Sequence, residues 1–174
     1  MKRLEDYVRS IPNFPEEGII FRDVTTVLGD ADALQLAINL MEDSLAGVEF
    51  DVVVAPESRG FIFGSSIAYN TKTAFVPVRK KGKLPCETIE EEYALEYGTA
   101  TLEMHKDAIK QGQRVVIVDD LLATGGTVKA ICKLVERLGG EVVRICCLIE
   151  LPELNGRKAL EGYDVESVMT FDGE

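Results

Sequence analysis

Apolar positions change their period several times along the chain. Leu4, Tyr7, Val8 and Ile11 follow a helical spacing that Pro12 ends. Pro12 to Gly18 reads as a loop, and Ile19-Ile20-Phe21 as a short extended run. Leu34, Ile38, Met41 and Leu45 predict an amphipathic helix, with Asp30 or Asp32 as N-cap and Gly47 near its end. From Val52 onwards, short continuous apolar runs alternate with helical stripes. Val52–Ala55, Ala74–Val78, Val115–Val118 and Val142–Ile149 predict buried strands. Phe61–Tyr69 and Val128–Leu138 predict helices between them, the second with Val128, Ile131, Val135 and Leu138 on one face and Gly139-Gly140 as its stop. Apolar strands interleaved with helices mean an α/β fold, a mostly parallel twisted sheet flanked by helices. Ligands in such sheets bind beyond the carboxyl ends of the strands.

The polar stretch from Arg79 to Tyr93 interrupts this alternation, with Gly82, Pro85 and the run Glu90-Glu91-Glu92. A long loop in a compact domain is disordered or functional. Its basic start favours a mobile lid over a ligand, and a solvated charged hairpin is the alternative. Asp107 to Lys110 predicts a short helical segment, and Glu153 to Glu174 carries apolar residues of core or interface type but no nameable chemistry. With no internal repeat or linker, residues 1–174 are expected to form one domain, and 46% hydrophobic residues suit a substantial core.

A net charge of −11 argues against broad nucleic-acid binding. No apolar run reaches membrane-spanning length, and Met1-Lys2-Arg3-Leu4-Glu5-Asp6 lacks the apolar stretch of a signal peptide. Cys86, Cys132, Cys146 and Cys147 show no C-x-x-C spacing, and neighbours on a strand point to opposite faces, so reduced thiols in a cytoplasmic protein are expected rather than a metal cage. Positive charge is gathered locally: Arg79-Lys80-Lys81-Gly82-Lys83 holds four of the nineteen basic residues.

The most informative run is Val115 to Thr127. A buried strand ends in Asp119-Asp120, and the small-residue turn Ala123-Thr124-Gly125-Gly126-Thr127 opens into a helix. Such a turn makes a nest of backbone N–H groups backed by the helix dipole, which suits a phosphate monoester. The two acids can accept from a ribose diol or face a hydrated magnesium ion. No Lys follows the glycines, so this is no Walker loop, and adjacent glycines exclude the G-x-G-x-x-G fingerprint. Pro56-Glu57-Ser58-Arg59-Gly60 is its topological twin after the first buried strand. Its Arg offers a fork of donors to a diphosphate, with pairing to Glu57 as the plainer alternative. Together the two loops point to a phosphorylated sugar carrying a second phosphate group.

The Val115–Thr127 run resembles the phosphoribosyl pyrophosphate (PRPP) motif of type I phosphoribosyltransferases. Phe14-Pro15, Gly18–Asp23, Glu57–Phe61, Arg79–Pro85 and Tyr93–Gly98 are similar, in order and spacing, to blocks of the adenine phosphoribosyltransferase family, most closely its short bacterial form. The resemblance implies a Rossmann-like sheet with a base-binding hood over about residues 1–30 and a catalytic loop over about 79–98. It implies transfer of the 5-phosphoribosyl group of PRPP to N9 of adenine, giving AMP and pyrophosphate in purine salvage, with Mg²⁺ carried by PRPP near Asp119 and Asp120 rather than fixed by the protein alone. By matching position, Ala123, Thr124, Gly125, Gly126 and Thr127 would hold the 5′-phosphate, and Asp119 and Asp120 the ribose hydroxyls. Arg59, Lys80 and Lys83 would meet the pyrophosphate, with Ser58 lining that loop. Backbone groups from Ile20 to Arg22 would read adenine while Phe21 packs on its ring. Glu96 is the implied acid, base or orienting carboxylate, with Tyr97 beside it on the lid; a homodimer is also implied.

Enzymes of this resemblance that use 6-oxopurines carry an Asp where this chain has Ala123, so the substitution points to adenine. A non-catalytic PRPP sensor would need a DNA-binding domain and a basic face, for which this acidic chain has no room, and a salvage enzyme for another base such as xanthine is the remaining rival. The sole histidine, His105, has no nucleophile pattern beside it and is expected to be structural. Cys86 is expected to be exposed in the lid without a catalytic role.

Overall fold

A computed structural model describes residues 2–95 and 97–173. The chain begins with a 3₁₀ turn, Leu4–Tyr7, followed by strands β1 (Arg9–Pro12) and β2 (Ile20–Asp23). Two helices follow, α1 (Thr25–Leu28) and α2 (Ala31–Asp43), and then β3 (Val52–Pro56), α3 (Arg59–Thr71) and β4 (Ala74–Lys80). A hairpin of β5 (Thr88–Ala94) and β6 (Thr99–His105) precedes β7 (Arg114–Leu122), α4 (Gly126–Arg137) and β8 (Glu141–Glu150). The chain closes through α5 (Gly156–Ala159) and β9 (Val165–Thr170).

Seven strands form one sheet in the order β5-β6-β4-β3-β7-β8-β9. The five from β4 to β9 run parallel, and the β5–β6 hairpin adds an antiparallel edge. The continuous apolar runs are buried on both faces, as expected of a doubly covered sheet. On one face Val52, Val54, Val115, Ile117 and Cys147 meet Ile131, Leu134 and Val135 of α4. On the other Val53, Val116, Val118 and Cys146 meet Ala37 and Met41 of α2 and Phe63 and Ile67 of α3. Cys146 and Cys147 thus serve opposite cores. Burial pushes the Cys146 thiol up to about 11 and that of Cys132 to about 12, so both are poor nucleophiles. Cys86 is exposed, and all four are free thiols.

β3, α3, β4, β7, α4 and β8 follow the apolar pattern, with α3 starting two residues before Phe61. Asp30 is the N-cap of α2, its Oδ1 accepting from the Ala33 N–H at 2.9 Å. Three segments differ from their sequence-based expectation. Residues 9–12 are a strand rather than the end of a helix, because Ile11 pairs with Phe21 across an antiparallel ladder. The segment 79–93 is largely strand: β5 alternates Ile89, Glu91 and Tyr93 towards α4 with Glu90 and Glu92 towards solvent. Glu91 can face inward because Lys133 and Arg137 of α4 meet it at 3.6 and 3.3 Å. Residues 81–87 are the turn-rich connection from β4 to β5. Residues 107–110 form a turn, not a helix. The apolar residues of the C-terminal segment are core: Leu160, Val165 and Met169 are buried. Among the described residues, no helix is long and apolar enough to cross a membrane.

The β1–β2 pair is stapled to α1 by one carboxylate. Asp23 Oδ2 accepts from Arg9 Nη2 at 2.6 Å, and its Oδ1 accepts from the Thr25 hydroxyl at 2.6 Å and the Thr25 N–H at 2.9 Å. The Thr25 hydroxyl, followed by Arg9, lowers the Asp23 carboxyl from 3.8 to about 2. A depressed carboxyl stabilises the fold above its unfolded value and loses that contribution on protonation. Asp23→Asn should therefore lower the thermal midpoint at neutral pH. The gap from the unmodified chain should close as pH falls from about 4 towards about 2; a gap independent of pH in melting curves would contradict this.

Candidate active site

β3 and β7 lie side by side, and their helices leave to opposite flanks: β3 returns through α3 to β4, β7 through α4 to β8. Their ladder runs only from Val52↔Val115 to Val54↔Ile117. Beyond it, β3 stays with β4 to Pro56↔Val78, and β7 stays with β8 to Leu122↔Glu150. A crevice opens at this switch point, where ligands of open α/β sheets bind. Its floor is a cavity of about 430 Å³ lined by Ser58, Arg59, Lys80, Asp119, Asp120, Ala123 and Thr127, together with Glu57 and Tyr93. An adjoining cradle of about 80 Å³ is formed by Ala123 to Thr127 with Asp119. A larger hollow, about 590 Å³ between α2 and α3, is lined by Leu34, Ile38 and Tyr69 but by no charged side chain. The converging charges, not size, mark the site.

The two loops touch through a missing side chain. A Cβ on Gly60 would stand 2.9 Å from Pro56 Cδ and 3.1 Å from Asp119 Oδ1, so only glycine lets the first turn of α3 approach the acids of β7. Asp119 and Asp120 are both buried. Asp119 Oδ1 accepts from the Asp120 N–H at 2.8 Å. Burial, and then the neighbouring Asp120 charge, hold the Asp119 carboxyl well above the usual carboxylate range. Arg59 Nε lies 2.9 Å from Asp120 Oδ2. That oxygen has no aligned hydrogen bond, so the pair is an ionic contact that leaves the guanidinium donors free for another anion. Arg59 therefore meets Asp120, not Glu57.

Glu57 instead organises the basic segment. Its Oε1 accepts from the Lys80 N–H at 2.7 Å, its Oε2 from Lys83 Nζ at 3.1 Å, and Arg79 Nε stands 3.4 Å away. Burial opposes its charge, but these bonds outweigh it and hold the carboxyl below its ordinary value. The turn between the lysines is pinned from its other side, where Glu103 Oε2 accepts from the Gly82 N–H at 3.1 Å. Sequence reasoning missed this role of Glu57 and weighed it only as a partner for Arg59. It also missed Tyr93 as a site residue, although the alternation Ile89-Glu91-Tyr93 was the available signal. The Tyr93 ring would meet a Cβ on Gly126 at 3.3 Å, and Thr127 Oγ1 donates to its hydroxyl at 3.4 Å.

The residues expected at the base divide by strand parity. Phe21 turns its ring towards Arg59, whose guanidinium lies 5.9 Å from the ring centre, with Phe14 edge-on at 5.3 Å. Ile20 and Arg22 point the other way, into a hollow shared with Leu151 and Leu154. The Arg22 guanidinium lies 4.7 Å from the Phe171 ring centre, and its Nη2 donates to the Asp172 carbonyl at 3.0 Å. Lys83 is tied to Glu57 and does not line the cavity, and Tyr97 is exposed. Glu96 lies outside the described residues. His105, away from the cavity, accepts weakly from the Cys86 N–H at 3.4 Å.

Among the described residues no group of three or more His, Cys, Asp or Glu side chains could cage a metal. The Asp119–Asp120 pair can still present oxygens to a magnesium ion whose remaining ligands come from substrate and water, the usual mode for this ion. The two carboxylates fit such an ion.

The family model of the phosphoribosyl transferase domain matches residues 29–170. An adenine phosphoribosyltransferase of Lachnoclostridium phytofermentans is 68% identical over 174 residues, the whole of both chains. The crystal structure of the adenine phosphoribosyltransferase of Thermoanaerobacter pseudethanolicus superposes with a TM-score of 0.94 at 56% identity, covering 97% of this chain and 100% of the other. That of Saccharomyces cerevisiae, crystallised with an imino-altritol bisphosphate and adenine, gives 0.89 at 38% identity over 95% and 96%. With the two loops facing one crevice and full-length likeness in sequence and fold, the chain belongs to the adenine phosphoribosyltransferase family of phosphoribosyltransferases.

Proposed function

We propose that this chain transfers the 5-phosphoribosyl group of PRPP to N9 of adenine, releasing pyrophosphate and leaving AMP. The observation that carries the reading is the single crevice in which the Ala123–Thr127 turn, the Asp119–Asp120 pair and the Arg59 loop converge under Phe21. The turn offers N–H groups at the positive end of α4 to the 5′-phosphate. Asp119 and Asp120 accept from the ribose hydroxyls. Arg59 and Lys80 hold the diphosphate, with Ser58 lining the loop and Lys83 joining from its place on Glu57. N9 of adenine attacks C1 as the C1–O bond to pyrophosphate breaks, and the bonding electrons leave with that oxygen. The transition state is oxocarbenium-like, so charge stabilisation on the leaving group is the main help the site can give. Magnesium, when bound with PRPP, neutralises part of that charge.

The base sits under Phe21, with the backbone of Ile20 to Arg22 along its edge. Glu96 handles the proton of the purine ring or orients it, with Tyr97 beside it. Ala123 places no acid at the purine, which favours adenine over 6-oxopurines. The reading includes one domain, a hood over about residues 1–30, a catalytic loop over about 79–98, a homodimer and a cytoplasmic setting. Free buried thiols support the last.

A panel of adenine, hypoxanthine, guanine and xanthine with PRPP and Mg²⁺, followed by pyrophosphate release, tests the reaction. Adenine should be strongly preferred, and equal turnover with another purine would overturn the assignment. Arg59→Ala removes diphosphate donors and leaves Asp120 without its cation; kcat/KM for PRPP should fall about 100-fold or more, the cost of losing one preorganised donor. Glu96→Ala should lower kcat far more than PRPP affinity, whereas equal losses in steady-state kinetics and PRPP titration would make Glu96 a binding residue.

A further inference from the structure

The segment after β8 carries no charged group of the crevice, yet its backbone presses on the phosphate turn. A Cβ on Gly156 would lie 2.5 Å from the Ala123 carbonyl oxygen and 2.9 Å from Leu122 Cγ and Cδ1. The close approach is reciprocal. Gly125, at φ +85°, would place a Cβ 2.9 Å from the Gly156 carbonyl oxygen, 3.3 Å from Gly156 Cα and 3.2 Å from Ala159 Cβ. Two glycines with no side chains therefore lock face to face, one in the turn and one at the start of α5. A Cβ at 2.5 Å from a backbone oxygen forces a backbone to move, and interiors at this density transmit such strain.

The buttress is itself firmly held. Asn155, at φ 57°, turns the chain into α5, and the Gly156 carbonyl accepts from the Leu160 N–H at 3.2 Å. Arg157 grips buried Glu150 with Nε at 2.8 Å and Nη2 at 3.0 Å, and its Nη1 donates to the Val165 carbonyl at 2.8 Å. Ser167 Oγ donates to the same Glu150 carboxylate at 2.6 Å. On the other side of the contact, the Leu122 carbonyl accepts from the Leu151 N–H at 3.0 Å. The segment 155–159 is thus anchored to β8 and β9, so a side chain at Gly156 would press on the turn.

We propose that Gly156 is a positioning residue for the 5′-phosphate: its bare α-carbon sets the height of Ala123 and Gly125, and so the aim of the N–H groups between Ala123 and Thr127. The inference rests on reading that turn as the phosphate site. It assigns a function-bearing constraint to a segment without functional side chains.

Gly156→Ala is the direct test, with ribose 5-phosphate and pyrophosphate as separate probes in calorimetric titrations. Affinity for ribose 5-phosphate should fall about tenfold or more, since small misplacement of a positioned group has large effects, while affinity for pyrophosphate stays as in the unmodified protein. In steady-state kinetics KM for PRPP should rise and KM for adenine stay unchanged. Unchanged ribose 5-phosphate binding, or equal loss of both probes, overturns the proposal. Should Gly156→Ala fail to fold, Ala159→Gly decides. It deletes the methyl beside Gly125 and should weaken ribose 5-phosphate about threefold, a modest packing loss; no change would refute the buttress. Failure of adenine as a substrate with these binding results intact would strike the proposed reaction and leave the positioning role standing.

Discussion

The short parallel ladder between β3 and β7 is the contact on which the rest depends. Three residue pairs, Val52↔Val115 to Val54↔Ile117, fix the two strands side by side at the centre of the sheet. They then part, one following β4 and the other β8. The gap between them is the crevice, and both loops fall into it because each follows its strand directly. Because β3 and β7 run parallel, α3 and α4 start at the same end of the sheet, and right-handed crossovers in opposite directions place them on opposite faces. Gly60 completes the juxtaposition by removing the one side chain that would separate α3 from Asp119.

In this acidic chain the cations at the crevice are held in place by acids. Glu57 and Glu103 each take a backbone N–H from the basic turn, at Lys80 and Gly82, and so fix its path. Glu57 also carries Lys83, which keeps that ammonium next to the crevice. Asp120 draws Arg59 across the crevice without satisfying its donors. A carboxylate in each loop thus preorganises a cation belonging to the other part of the site. Such preorganisation avoids reorienting charges when an anion arrives.

Legibility in the sequence followed burial. Val52–Ala55 and Val115–Val118 are apolar at every position because they are covered on both faces, and so their strands and the loops after them were evident. The β5 strand was not, because Glu90, Glu91 and Glu92 mask its alternation. Glu91 points inward only because Lys133 and Arg137, more than forty residues away, stand opposite. Residues 9–12 carried a helical period by coincidence of Val8 and Ile11, and the ladder to β2 overrode it. Within the site, Asp119, Asp120 and the Ala123–Thr127 turn were legible because strand, acids and turn are contiguous. Glu57 and Tyr93 were obscured because their partners are distant in sequence.

The sequence by itself determined the alternation of strands and helices, the two loops able to bind anions, and the family resemblance that pointed to adenine. Each depends on residues near one another in the chain, where period and turn chemistry are local properties. Tertiary structure alone decided that Arg59 faces Asp120 rather than Glu57, that Phe21 turns its ring towards Arg59, and that Gly156 sits against Gly125. Those outcomes depend on register and on close backbone approach between segments far apart in sequence, and no spacing along the chain encodes such distances.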